Sequence, residues 1–167
     1  MTKTTRHGHV LALFSELMLY LAVLGMVLLI AAYLYEIVAR YFFAAPTTWA
    51  NELVSIVLSL SVFFAMPKVA AEGGHVVISL LQDSVSEKSA VFLRRALLIV
   101  AALTCLTVAG IAASVAVKQV ASGVMTMGNH PIPKSIVTIA ITLGFALSGL
   151  QYLNNAFTRI DNVGDKP

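Results

Sequence analysis

Four long runs without charge constrain this chain more than any other feature. Residues 17–35, 53–67, 96–117 and 135–158 contain no Asp, Glu, Lys or Arg. A helix crossing the ~30 Å hydrocarbon core of a bilayer needs ~20 mostly apolar residues. Three runs meet that length as they stand. The second meets it as a stretch from about Trp49 to Ala71, with Glu52 and Lys68 near the two interfaces. Strands of a membrane barrel would instead alternate apolar and polar residues over ~10 positions, and neither 57–66 nor 97–108 alternates. Composition closes the other routes. Charged residues make up 11% and hydrophobic residues 59%, whereas soluble domains carry ~25% charge and disordered chains are poor in apolar residues. The expected fold is an all-α integral membrane protein, one membrane domain over residues 1–167, with spans at about 10–39, 49–71, 93–120 and 133–158.

The few basic residues set a direction. Lys3 and Arg6, then Lys68, Lys88, Arg94 and Arg95, then Arg159 and Lys166 fall on one side of such a topology. Arg40, Lys118 and Lys134 fall on the other, so the sides carry eight and three. Because Lys- and Arg-rich loops stay in the cytoplasm, both termini are expected there. The net charge of +3 thus reflects topology. The basic residues form no stripe or known motif, so no nucleic-acid partner is expected. The single cysteine, Cys105, lies mid-span and reads as a packing residue.

Along the chain, Glu36 and Arg40 stand i, i+4 on one helix face, the favourable order for an ion pair. Tyr33, Tyr35, Tyr41, Phe42 and Phe43 form an aromatic belt at the outer interface. Ala44-Ala45-Pro46-Thr47-Thr48 is a short turn, with Thr47 or Thr48 able to cap the next helix and Trp49 at the interface. Pro67 should bend or end the second helix. After Gly73-Gly74, residues 75–83 place Val76, Val77, Leu80 and Leu81 on one face and Ser79, Gln82 and Asp83 toward the other. That pattern predicts a short amphipathic helix in the inner interface. Ser84 and Glu87 have capping-box spacing, opening a third helix over 87–122. An outer loop from Gly123 to Pro133 precedes the last helix. Gly110 with Ser114, and Gly144 with Ser148, are small-xxx-small pairs that allow close helix approach.

Catalytic chemistry finds little to stand on. His7, His9, His75 and His130 all lie away from span centres, and His7 with His9 supplies only two metal ligands. Serines and threonines within the spans lack a mid-membrane base, so no enzyme activity, cofactor or metal is expected. The ionisable residues near the membrane all lie toward its edges. Glu16 reads as an interfacial carboxylate, or as a proton- or cation-binding one. Glu52 either favours the dipole of the helix it opens, bridges to Arg40 across the turn, or meets a partner protein. Lys68 should snorkel to the inner interface. A secondary transporter needs a polar site near the midplane, built on broken helices between repeats. Neither feature is visible, so the pattern suits a helical scaffold for another subunit.

The segment from Arg40 through Trp49 to Leu53 resembles the small membrane subunit of a TRAP transporter, the DctQ-like or Q subunit of tripartite ATP-independent periplasmic transporters. The resemblance rests on Arg40 with the aromatic residues after it, on Trp49-x-x-Glu52, on Gly74-His75-Val76, and on Ile132-Pro133. It implies residence in a bacterial inner membrane and two partners, a separate large membrane subunit and a periplasmic substrate-binding protein, besides membrane lipids. It implies sodium-coupled uptake of organic anions such as carboxylates or sialic-acid-type substrates. The large subunit would move the substrate by an elevator motion, and this chain would enlarge its static frame. Arg40, Trp49, Glu52, Glu36, Gly144 and Ser148 are the candidate partner-interface or structural residues. The alternative is a stand-alone four-helix multidrug exporter with Glu16 as its coupling carboxylate. A third reading is an assembly subunit of a complex that does not transport.

Overall fold

The computed structural model describes residues 6–45, 47, 49–72, 87–126 and 131–158. Its helices are α1 (Arg6–Phe42), α2 (Ala50–Glu72), α3 (Glu87–Ser122) and α4 (Ser135–Thr158). Each is long and apolar enough to cross a membrane, so the fold is all-α, as the uncharged runs require. Within hydrocarbon the backbone must satisfy its own polar groups, and a helix does so unaided. The amphipathic helix expected over 75–83 lies outside the described residues. α1 has 37 residues, roughly 55 Å at 1.5 Å per residue, well beyond the ~30 Å core, so it must tilt or protrude.

The helices do not close into a four-helix bundle. α2 packs on α1 and on α4, and α4 packs on α3. α1 touches α4 slightly, and α3 meets neither α1 nor α2. The spatial order is therefore α1–α2–α4–α3, an open row with α1 and α3 at its edges. Contacts fix the sense of each helix. Ser15, Lys68, Gln151 and Asn155 meet at the end that carries the starts of α1 and α3. Gln119 and Thr138 meet at the opposite end. Hence α2 and α4 are parallel neighbours, and the 73–86 connection joins two helices that do not touch.

Each edge helix buries one narrow stripe. On α1, Ser15, Met18, Ala22, Glu36 and Ala39 are buried, and Leu11, Gly25, Leu29 and Ala32 are half-buried. Their steps alternate between four and three residues, the 3.5 repeat of a coiled-coil seam. On α3 the same rhythm runs through Leu98, Ala102, Cys105, Ala109, Ala112, Ala116 and Gln119. Small residues dominate both stripes, because helices in a bilayer gain contact by close backbone approach rather than by expelling water. Large side chains such as Leu24, Leu34, Phe92 and Val100 point outward.

The closest approaches occur at glycines. A Cβ on Gly25 would collide with Ser61 Oγ of α2. A Cβ on Gly144 would stand 2.5 Å from the carbonyl oxygen of Phe63, and one on Gly149 2.9 Å from Leu106 Cγ. Pro67 neither ends α2, which continues to Glu72, nor has an N–H to donate to Phe63, four residues earlier. The carbonyl it leaves is the one that α4 approaches at Gly144. Of the small pairs, Gly144 with Ser148 lies in the core, Ser148 fully buried and donating from Oγ to the Gly144 carbonyl at 2.7 Å. Gly110 and Ser114 are exposed, and a Cβ on Gly110 would meet nothing within 4 Å. That second pair packs no helix of this chain, because it lies on the outward side of an edge helix.

Candidate functional site

At the turn between α1 and α2, helix geometry places Glu36 one turn before Arg40, facing α2. Its side chain is buried, yet both carboxylate oxygens are engaged. Oε1 accepts from Arg40 Nη2 at 2.6 Å and from Nε at 3.2 Å. Oε2 accepts from the backbone N–H of Thr47 at 3.1 Å. A buried carboxylate costs free energy unless paired and hydrogen-bonded, and here one residue meets that condition by tying the end of α1 to the approach of α2. Arg40 keeps about half of its side chain exposed, 52%. It can therefore meet a further anion while remaining held by Glu36.

The chain turns under some strain. Ala44 adopts φ of 49°, a left-handed conformation that non-glycine residues enter at a cost. The Ala39 carbonyl accepts from both Phe43 N–H and Ala45 N–H, closing the helix end. Tyr35 stacks on Trp49, with ring centroids 6.2 Å apart, so the aromatic residues flanking the turn brace it. Tyr41, Phe42 and Phe43 stand largely exposed around it. Glu52 is half-buried in the first turn of α2. Thr47 Oγ1 is buried without a hydrogen-bond partner. The result is a braced, aromatic-rimmed turn with a half-exposed guanidinium.

The structure thus brings Glu36, Arg40 and Trp49 into one assembly and keeps Gly144 and Ser148 apart from it, in the α2–α4 seam. Sequence spacing anticipated the Glu36–Arg40 pair. It missed the Thr47 backbone bond, since nothing local links residues eleven apart.

The opposite end has its own polar clasp. Lys68 Nζ lies 3.3 Å from Glu16 Oε1 and 3.3 Å from Glu72 Oε1. Gln151 Nε2 donates to Ser15 Oγ at 2.7 Å and to the Leu11 carbonyl at 3.2 Å. Asn155 Nδ2 donates to the carbonyls of Ala70 and Ala71. Three helices are stitched together there. Gln151 and Asn155, two amides i and i+4 on an uncharged helix, were the readable signal for it. Glu16 sits in this clasp about three turns into α1, half-exposed and paired with Lys68. Among the described residues no group of three His, Cys, Asp or Glu could hold a metal ion.

A family model described as tripartite ATP-independent periplasmic transporters, DctQ component, matches residues 26–162. No curated protein matches the chain.

Proposed function

Since the chain belongs to the DctQ component family of tripartite ATP-independent periplasmic transporters, we propose that this small membrane subunit packs beside a separate large membrane subunit and widens its fixed frame. The family is a transporter component rather than an enzyme. Its large partner would carry the solute and sodium sites and move an organic anion, a carboxylate or sialic-acid-type molecule, delivered by a periplasmic binding protein.

The observation that carries this reading is the open row of helices. A protein that transported alone would enclose a polar path, whereas here α1 and α3 each bury one stripe and leave the rest of their surface apolar and outward. Such a layer suits lateral packing against another membrane protein. Close glycine contacts and the polar clasp make it stiff, which a frame needs while a transport domain slides. With both termini in the cytoplasm, the braced turn at Glu36, Arg40, Trp49 and Glu52 would face the periplasm. There it would meet the large subunit or the docked binding protein. The stand-alone exporter gains no support from Glu16, whose carboxylate is paired with Lys68.

The test is reconstitution. Sodium-dependent uptake in proteoliposomes should require this subunit, the large subunit and the binding protein together, and a tagged chain should retain a large polytopic partner in detergent. A stable homodimer that exports cations by itself would overturn the reading.

A further inference from the structure

Beside the seam between α1 and α2 the two helices part into an open, apolar groove of about 560 Å³. Leu19, Val23 and Met26 of α1 and Ala65, Met66 and Val69 of α2 line it. The lining runs over 19–27 on one helix and 61–69 on the other, roughly 12 Å along each at 1.5 Å per residue. One leaflet supplies half of the ~30 Å hydrocarbon core, so the groove has about the depth of one leaflet. Its deep end lies at mid-span. Ser61 is the central residue of α2, and there its close approach to Gly25 brings the two helices together.

The other end of the groove opens at the polar clasp. Glu16 stands three residues before Leu19 and seven before Val23, so it continues the groove-lining face of α1. Lys68 and Glu72 stand three and seven residues after Ala65 and continue the matching face of α2. These side chains are accessible, 52% for Glu16, 69% for Glu72 and 23% for Lys68. One ammonium between two carboxylates leaves the mouth with a net negative charge. Both carboxylates lie 3.3 Å from the same nitrogen, so a second ammonium beside Lys68 can reach both residues. A fitting ligand therefore has an apolar chain one leaflet deep and an ammonium at its head. We propose that the α1–α2 groove binds a phospholipid with a primary-ammonium headgroup. One acyl chain lies in the groove, where the flexible thioethers of Met26 and Met66 adapt to it. The headgroup ammonium donates to Glu16 and Glu72, and a phosphate oxygen accepts from Lys68 Nζ. A helix of another protein needs ~20 residues to cross the hydrocarbon, roughly twice the length over which the groove is open. The site needs only that the chain spans a membrane, so it stands apart from the transporter reading.

The experiment uses the purified, delipidated full chain and native mass spectrometry, with phosphatidylethanolamine, phosphatidylcholine and phosphatidylglycerol of the same acyl chains as probes. The chain should prefer phosphatidylethanolamine, because the methylated ammonium of phosphatidylcholine has no N–H to donate and phosphatidylglycerol has no ammonium. Combined Glu16→Gln and Glu72→Gln should weaken that preference by up to about fivefold per carboxylate. Val23→Trp, which adds bulk to the groove, should weaken binding of phosphatidylethanolamine, while Leu28→Trp, exposed on α1 outside the groove, should not. A photoreactive group on the acyl chain of phosphatidylethanolamine gives a second measurement that needs no variant: on the wild-type chain its label should concentrate in 19–27 and 61–69. Equal binding of the three lipids would overturn the proposal. So would an undiminished preference in the folded glutamine variant, equal binding by the two folded tryptophan variants, or label spread evenly over the outward faces of the helices. A groove that excludes the lipid and holds a helix of a co-purified protein would overturn it as well.

Discussion

Gly144→Ala adds one methyl group at the tightest backbone approach between α2 and α4. The new Cβ would stand 2.5 Å from the Phe63 carbonyl oxygen and 3.2 Å from both Phe63 C and Phe63 Cβ. An ordinary contact between carbon and carbonyl oxygen lies at ~3.3–3.6 Å, so the helices must part locally by about 0.8 Å. The obstacle is backbone, which cannot rotate aside as a side chain would. A separation of that size forfeits a quarter to a half of the local dispersion energy, and overpacking of this kind costs about 1–3 kcal/mol. The substitution also removes the α-hydrogen that faces a carbonyl deprived by Pro67 of its helical donor, a contact worth up to ~1 kcal/mol. Gly110→Ala is the matched control, because its Cβ meets nothing within 4 Å. Alanine is the better helix former by up to ~1 kcal/mol, so that variant should be neutral or stabilised. Unfolding in mixed micelles, followed by circular dichroism, measures both. Gly144→Ala should lower stability by about 1–3 kcal/mol relative to Gly110→Ala. Equal stability of the two variants would refute the claim that the Gly144 approach holds α2 to α4.

Ala44→Gly should raise stability by about 1 kcal/mol in the same assay, since glycine enters the left-handed region without a Cβ clash; an unchanged or lowered stability would mean that the turn is not strained. Gln151→Leu removes both the Ser15 and the Leu11 bonds and leaves the fully buried Ser15 hydroxyl without its outside donor. It should cost about 1–3 kcal/mol, and a double-mutant cycle with Ser15→Ala should show coupling, near ~0.6 kcal/mol if this pair behaves as an average one in a membrane. Glu36→Ala strands Arg40 and the Thr47 N–H together. Recovery of a large partner with the tagged chain should fall, and unchanged recovery would remove the turn from the interface. Glu16→Gln breaks only a peripheral ion pair with Lys68, so uptake by the complete transporter should persist; its abolition would point back to a coupling carboxylate.

The candidate site was legible in the sequence where its logic is local. Glu36 and Arg40 meet because four residues make about one helical turn. The bond from Glu36 to the Thr47 backbone depends on how the turn folds back, and no spacing rule reaches it. Gly144 and Gly110 looked alike on the page, each four residues before a serine. Their fates differ because α4 lies inside the row and α3 at its edge. The seams left a trace in the small residues at alternating steps of four and three, Ser15, Ala22, Gly25 and Ala39 among them. That trace shows which stripe is buried, not which helix covers it.

The sequence by itself determined that the chain is a set of four membrane-crossing helices. Uncharged runs of that length have no stable place in water, and hydrocarbon permits a lone segment no structure but a helix. The tertiary structure alone decided the order α1–α2–α4–α3 and hence which faces stay open. Lipid tails and apolar side chains are nearly equivalent surroundings for leucine or valine, so hydrophobicity does not tell a helix which side to hide. Close backbone approach at Gly25, Gly144 and Gly149 and a few polar side chains in exact register make that choice, and those arise only when particular helices meet.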